Sequence, residues 1–312
     1  MLDGSALSDL WFFRAAGQEQ SFSGAALRLN ITQGAVSQRI RRLEERLGID
    51  LFQRVGRRVV LTKEGKRLFD AADHAFGKLE LELNAISREA GSSELVVSCL
   101  PSLAMDWLIP RLGSWYGQPG RPNIRIRAEM HKINQSIMLD EGIDLAIRFD
   151  MESYDDLCCE DLRGEIYIPV CAPDYERKRE NETAESYLNR INIIHDEQPW
   201  DGADPSVEWK TWLSGAGCAA VDAKRGDFFN LTHIATRAAL LGRGVAMGRS
   251  LLVRKYLDSG ELLPALDLEV ASEARYRLMS LHPITEDLRI AQFVDWLRDE
   301  ILSEAPLRVD RP

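Results

Sequence analysis

Gln33, Ser37 and Gln38, followed one helical turn later by Arg41 and Arg42, are side chains that can read base edges. Glutamine makes a bidentate pair with adenine and arginine with guanine. Arg54, Arg57, Arg58 and Lys63 cluster just downstream as cations suited to phosphate oxygens. A second group lies far along the chain, at the ends of strand-like runs. Ser102 follows ELVVSCLP, Arg148-Phe149-Asp150 closes IDLAIRF, and His195-Asp196 closes INIIHD. A hydroxyl or an arginine holds a carboxylate and an acid holds an ammonium, so this group suits a zwitterion such as an amino acid. Leu103, Phe228 and Met247 complete its candidate lining.

Other chemistries lack their residues. There is no GxSxG, no HExxH and no Ser/His/Asp set at workable spacing, so no catalysis is expected. The histidines are His74, His131, His195, His233 and His282, without metal-ligand spacing, and neighbours such as His195 and Asp196 on a strand face opposite ways. Neither a metal nor a cofactor is expected. Gly242-Arg243-Gly244-Val245-Ala246-Met247-Gly248 follows a helix and enters a strand, the reverse of a dinucleotide-binding turn. Plainer roles exist for the candidates too. Ser102 can simply cap a helix, Arg148 can pair with a surface acid, and the basic head residues can be a solvated face of a helical bundle.

The head needs three helices and a hairpin to place its residues. Ser8 to Ala16 reads as a helix with Leu7, Leu10, Trp11 and Ala15 on its apolar side, and Ser21 or Ser23 can cap a second helix to Leu29. Asn30-Ile31 breaks the chain, Thr32 is an N-cap, and Val36, Ile40, Leu43 and Leu47 form one stripe on a helix that Gly48 ends. Ala25-Ala26 permits two helices to pack closely, a helix-turn-helix pattern whose second helix offers its N-terminal residues to the major groove. Leu51 to Leu61 predicts a hairpin around a basic turn. After Thr62 a long helix carries Leu68, Ala72, Ala75, Leu79, Leu83 and Ile86 at near-heptad spacing, a narrow seam suited to a partner helix. Gly91-Ser92-Ser93 is a hinge.

From Glu94 strands and helices alternate, as in α/β domains. Strands are expected at ELVVSCLP, NIRIRAEM, IDLAIRF, EIYIPVCA, INIIHD, CAAVDA, GVAMG and RYRLMSL, with helices near 103–116 and 134–141 and an amphipathic helix at EDLRIAQFVDWLRDEIL. So many strands suit two subdomains better than one sheet. The expected domains are 1–66 for the head, 67–90 for a linker helix and 91–312 for an α/β domain of two subdomains.

The run SFSGAALRLNITQGAVSQRIRRLEERLGIDLFQRVGRRVVLTKEG resembles the winged helix-turn-helix of the LysR-type transcriptional regulators. The resemblance covers nearly the whole head. It implies an α+β protein: a winged helix-turn-helix, a linker/dimerisation helix, and a two-lobed α/β effector domain like a periplasmic binding protein. It implies base contacts from Gln33, Ser37 and Gln38, with Thr32 at the helix start, and phosphate contacts from Ser23 and the wing arginines. The implied partners are an inverted-repeat operator in double-stranded DNA, RNA polymerase, and further copies of the chain as homodimer or homotetramer. Gly34 departs from the Pro, Ser or Ala of many members, and Gln38-Arg39 reverses a common order. LPSLAMDWLIPRL, IDLAIRF, PVCAPDY and HDEQPW resemble the branch of glycine-cleavage activators and β-lactamase regulators. HDEQPW, EWKTW and GVAMGRSLLVRKYLDSGELL, in that order, resemble its D-serine-responsive members and imply D-serine as effector, with activation of a catabolic operon. Another small or D-amino acid, or a muropeptide, are the competing ligands.

Bulk properties agree. The net charge of −10 is divided unevenly, with 11 Lys/Arg against 7 Asp/Glu in residues 1–66 and 28 against 42 in the rest. A basic head on an acidic body fits one part touching phosphate and the other not. Five cysteines, two of them adjacent, make neither a disulfide framework nor a CxxC pair, which favours a reducing cytosol. The acidic MLDGSALSDL start is unlike a signal peptide, and no apolar run approaches the roughly 18 residues of a membrane span, so a cytoplasmic protein without membrane contact is expected. A solute-binding protein shares a two-lobed fold but gives the head no role. An enzyme with a DNA-binding appendage lacks a nucleophile–base set.

Overall fold

The computed structural model describes residues 3–55, 58–89 and 94–303, and the chain divides into two compact units, 1–92 and 93–312. In the first, the Asp3 carboxylate accepts the Ala6 amide at 2.8 Å and starts α1 (Gly4–Glu19). Ser21, not Ser23, caps α2 (Phe22–Arg28), its hydroxyl accepting from the Gly24 amide. Asn30 turns the chain at φ +54°, Thr32 caps α3 (Gln33–Leu47), and Gly48 closes it at φ +69°. Strands β1 (Phe52–Val55) and β2 (Arg58–Leu61) pair antiparallel with Phe52 opposite Leu61. α4 (Lys63–Glu89) follows.

Val36, Ile40 and Leu43 are buried against Ala15, Ala16, Ala25, Ala26 and Phe13, so the α3 stripe forms as its period predicts, except that Leu47 is exposed. The α1 face differs from expectation. Ala6, Phe13 and Ala16 are buried while Leu7 and Trp11 are exposed, because Asp9 turns inward to meet Arg39 at 3.2 Å and Arg42 at 3.9 Å. Arg14 and Gln18 both donate to Asp73, tying α1 to α4. On α4, Ala72 is buried but Leu79 and Leu83 are 56% and 64% exposed, so these two seam positions are left uncovered among the described residues. The Ile86 side chain and the hinge at 91–93 lie outside the described residues.

In the second unit the order is β3 (Glu94–Cys99), α5 (Pro101–Leu103), a π-helical turn (Ala104–Leu108), α6 (Ile109–Tyr116), β4 (Asn123–Ala128), α7 (Gln135–Glu141) and β5 (Leu145–Asp150). Then come β6 (Cys158–Cys171), α8 (Ala184–Arg190), β7 (Ile193–Asp196), α9 (Val207–Gly215), β8 (Asp227–Phe229), α10 (Thr232–Leu240) and β9 (Val245–Arg249). The unit ends with α11 (Ser250–Asp258), β10 (Leu263–Pro264), β11 (Val270–Ser280) and α12 (Leu288–Ser303). CAAVDA is a turn rather than a strand; Cys218 and Val221 go into the core, and the sheet edge falls to Asp227–Phe229.

The strands form one continuous sheet in the order β4-β3-β5-β11-β6-β9-β7-β8, with β10 beside β6, rather than two separate ones. Two parallel groups are nonetheless distinct: β4-β3-β5 in lobe I and β9-β7-β8 in lobe II. The long strands β6 and β11 run antiparallel between them and carry the chain across. Trp107, Trp115, Trp209, Trp212, Tyr167 and Tyr276 fill the core.

Candidate nucleic-acid interface and ligand cleft

Gln33, Gln38, Arg41 and Arg42 are exposed on α3, as are Thr32 at its start and Ser23 on α2. Ser37 is half-buried, and with Arg41 it lines a groove between α3 and the hairpin that Gln53 also borders. Gln53 escaped sequence reasoning because an isolated glutamine in a strand carries no signal. A helix whose first turns are polar and exposed beside a hairpin is a shape that enters a major groove. Arg42 is drawn toward Asp9 at 3.9 Å, which turns it from the position Arg41 occupies. The strand positions of Arg54 and Arg58 are described but their side chains are not, and Arg57 lies outside the described residues. Lys63 is exposed at the start of α4.

In the second unit, Arg148, Phe149 and Asp150 reach the carboxyl end of β5 and border a cavity of about 20 Å³ together with Leu100, Tyr154 and, from lobe II, Trp200 and Asp201. Carboxyl strand ends are where open α/β sheets present ligand groups. The Phe149 ring meets Trp200 edge-on at 5.8 Å. Arg148 is almost fully buried, donating to Ser98 Oγ at 2.8 Å and to the Ile147 carbonyl. Among the described residues its Nε has no hydrogen-bond partner. Burial pulls its guanidinium below the ordinary arginine value. Asp150 accepts the Tyr154 hydroxyl at 2.5 Å and the Glu152 amide, and burial, then the bond to Asp150, push the Tyr154 phenol well up. A cation and an acid thus share one small space.

The other predicted residues fall elsewhere. His195 stacks on Phe228 at 4.1 Å, its Nε2 is 2.9 Å from the Arg225 carbonyl, and burial lowers its pKa. Asp196 points the other way, as strand alternation requires, accepting Thr232 Oγ1 at 2.5 Å, Arg249 Nη2 at 3.4 Å and the Gln198 amide. Leu103 and Met247 are packed in the main core. Ser102 Oγ accepts the His233 amide of lobe II at 3.0 Å.

Sequence reasoning also missed a buried ion pair that reaches Phe149. Arg249 is fully buried, donating from Nε to Glu208 Oε1 at 2.8 Å and lying 4.2 Å from the Phe149 ring centroid. Burial opposes its charge, but Glu208 and Asp196 raise it above the ordinary value. Burial pushes the Glu208 carboxyl up to about 7, against the pull of Arg249. Its Oε2 has no hydrogen-bond partner among the described residues. Glu208 opens the EWKTW run that carries part of the family resemblance, but nothing in that run marks its carboxyl as a buried partner of Arg249. Glu129, His131 and Glu141 also converge, but Arg127 pairs with both acids and already supplies the cation. The five cysteines form no disulfide, and burial pushes the Cys99 thiol up to about 12.

Comparison with known proteins covers both units. Residues 7–66 match the profile of the bacterial regulatory helix-turn-helix proteins, lysR family, and residues 88–302 match the LysR substrate binding domain. The chain is 34% identical over 302 residues to the HTH-type transcriptional regulator DsdC of Escherichia coli K12, covering 96% of each. It is 30% identical to the glycine cleavage system transcriptional activator of the same organism, covering 96% of this chain and 94% of that one. Among solved structures, ArgP from Mycobacterium tuberculosis is similar in fold, with a TM-score of 0.58 at 21% identity, covering 96% of this chain and 98% of that one.

Proposed function

Because the chain belongs to the LysR family of bacterial DNA-binding transcriptional regulators, we propose that it responds to a small zwitterionic amino acid bound between its two lobes, D-serine first among them. The observation that carries this reading is the cavity bordered by the buried Arg148, the acid Asp150, Phe149 and Trp200. Arg148 Nε is without a partner among the described residues and suits a carboxylate, while Asp150, which already accepts from Tyr154 and the Glu152 amide and lies 3.8 Å from Arg277, would have to share its charge with an ammonium. A volume of about 20 Å³ holds little more than a water. The ligand therefore enters by parting the lobes, and a small amino acid asks for less movement than a muropeptide. D-serine leads because of the likeness in the HDEQPW, EWKTW and GVAMGRSLL segments. A relative named as an activator of glycine cleavage points to the same ligand class.

The rest of the reading is a cytoplasmic homodimer or homotetramer, paired through the exposed α4 seam at Leu79 and Leu83, that binds an inverted-repeat operator. It acts with RNA polymerase on a catabolic operon and performs no catalysis. Thermal unfolding of the full chain with D-serine, L-serine, glycine and D-alanine tests the ligand. A ligand that binds only the folded state raises the melting temperature. A rise with D-serine and not L-serine is expected; no rise with any of the four rejects the amino-acid reading.

A further inference from the structure

Asp106 is fully buried in the π-helical turn of lobe I, yet among the described residues the partners of its carboxylate stand on the other lobe. His233 Nδ1 lies 2.9 Å from Oδ2, Lys255 Nζ donates to Oδ1 at 2.9 Å, and the Tyr256 hydroxyl donates to Oδ1 at 3.1 Å. These residues stand on α10 and α11 of lobe II. A few residues away, the His233 amide donates across the same boundary to Ser102 Oγ. Burial alone would lower the Lys255 ammonium, but the bond and charge of Asp106 hold it above its ordinary value. π-Helical turns place one residue outside the regular helical register and recur at functional positions. Here the turn holds Asp106 toward the other lobe.

We propose that Asp106 is an interlobe clasp, which keeps the two lobes together without effector and sets the threshold that an effector must overcome to enter. The clasp and the cavity share their segments. Leu100 borders the cavity, and the same stretch of chain runs on through Ser102 to Asp106. On lobe II, Thr232 bonds Asp196 while the adjacent His233 makes the clasp. Parting the lobes to admit a ligand must therefore strain or break the bonds to Asp106. Hydrogen bonds to a buried charge are stronger than neutral ones, so the clasp is a substantial barrier. The inference rests on the reading of an effector between the lobes only for its purpose, since the clasp itself is a property of the ligand-free chain.

The test is hydrogen–deuterium exchange of the full chain without ligand, comparing wild type with Asp106→Asn and Lys255→Met. Asn keeps the shape of Asp and loses its charge; Met removes one donor at a partly exposed position and spares the buried turn. In both variants, amides of residues 100–108 and 232–236 should exchange about tenfold faster, while β4 and β8 stay as in wild type. Unchanged exchange in those two segments, or a uniform rise across the effector domain, overturns the clasp. If Asp106→Asn fails to fold, Lys255→Met decides alone. A D-serine arm separates the two readings: wild type that ignores D-serine rejects that effector, while the ligand-free exchange still judges the clasp.

Discussion

The Arg249 guanidinium lies 4.2 Å from the Phe149 ring centroid, joining strand β9 of lobe II to strand β5 of lobe I. The same ring meets Trp200 edge-on, so a cation and an indole from lobe II both close on one aromatic ring of lobe I. Phe149 and Trp200 both border the cavity beside Arg148.

Replacing Trp200 by Ala removes its ring from Phe149 and from the cavity border. Aromatic pairs contribute about 0.5–1.5 kcal/mol beyond area burial, so the ligand-free full chain should lose at least roughly that much stability. Thermal unfolding reads the loss, and an unchanged melting temperature would mean that the Phe149–Trp200 contact carries no net stability.

Glu208 predicts a pH dependence of stability. Its carboxyl, ordinarily near 4.5, is raised to about 7 in the folded chain, so between those values the folded state binds more protons than the unfolded one. Stability from this group is then greatest below pH 4.5, falls as pH rises toward 7, and levels above it, a difference of about 3 kcal/mol in all. Glu208→Gln removes the titration. The melting temperature of wild type relative to the variant should therefore drop between pH 5 and pH 8; a constant difference would mean that Glu208 keeps an ordinary pKa.

In the DNA-reading unit, Ser37→Ala should flatten the preference among operator variants, because Ser37 lines the groove beside α3. Arg57→Ala should weaken all sequences alike and reduce the salt slope by about one. Titrating a set of operator mutants at several salt concentrations separates the two, and uniform losses from both would reassign Ser37 to anchoring.

Gly65 sits where α4 leaves the hairpin, and a Cβ there would collide with the Leu51 carbonyl oxygen. Gly65→Ala should cost the first unit about 1–3 kcal/mol, because backbone rather than a flexible side chain must move. Thermal unfolding of the full chain should show that loss, with the response to D-serine retained.

Much of the first unit was legible because its signals are local. Thr32 and Gly48 bound α3, and Val36, Ile40 and Leu43 are buried as their spacing requires. The α1 face was not legible, since Asp9 is buried only because Arg39 and Arg42 approach it from a different helix. In the second unit, Arg148-Phe149-Asp150 stood out at a strand end, and the structure places all three on one cavity. CAAVDA misled because β-prone residues also fill a core turn. Trp200, Glu208, Arg249 and Asp106 lie in runs that carry the family resemblance, but nothing in those runs marks them as site residues, as their roles depend on partners far along the chain.

The sequence by itself determined the head's helix-turn-helix, the basic head on an acidic body, and the alternation of strands and helices. Each of these follows from capping chemistry, periodicity or composition within a short window. Tertiary structure decided that the strands join one sheet, that Glu208 and Arg249 share a buried site, and that Asp106 of one lobe is held by three donors of the other. Desolvation and charge pairing act through space, and no window of sequence contains both partners.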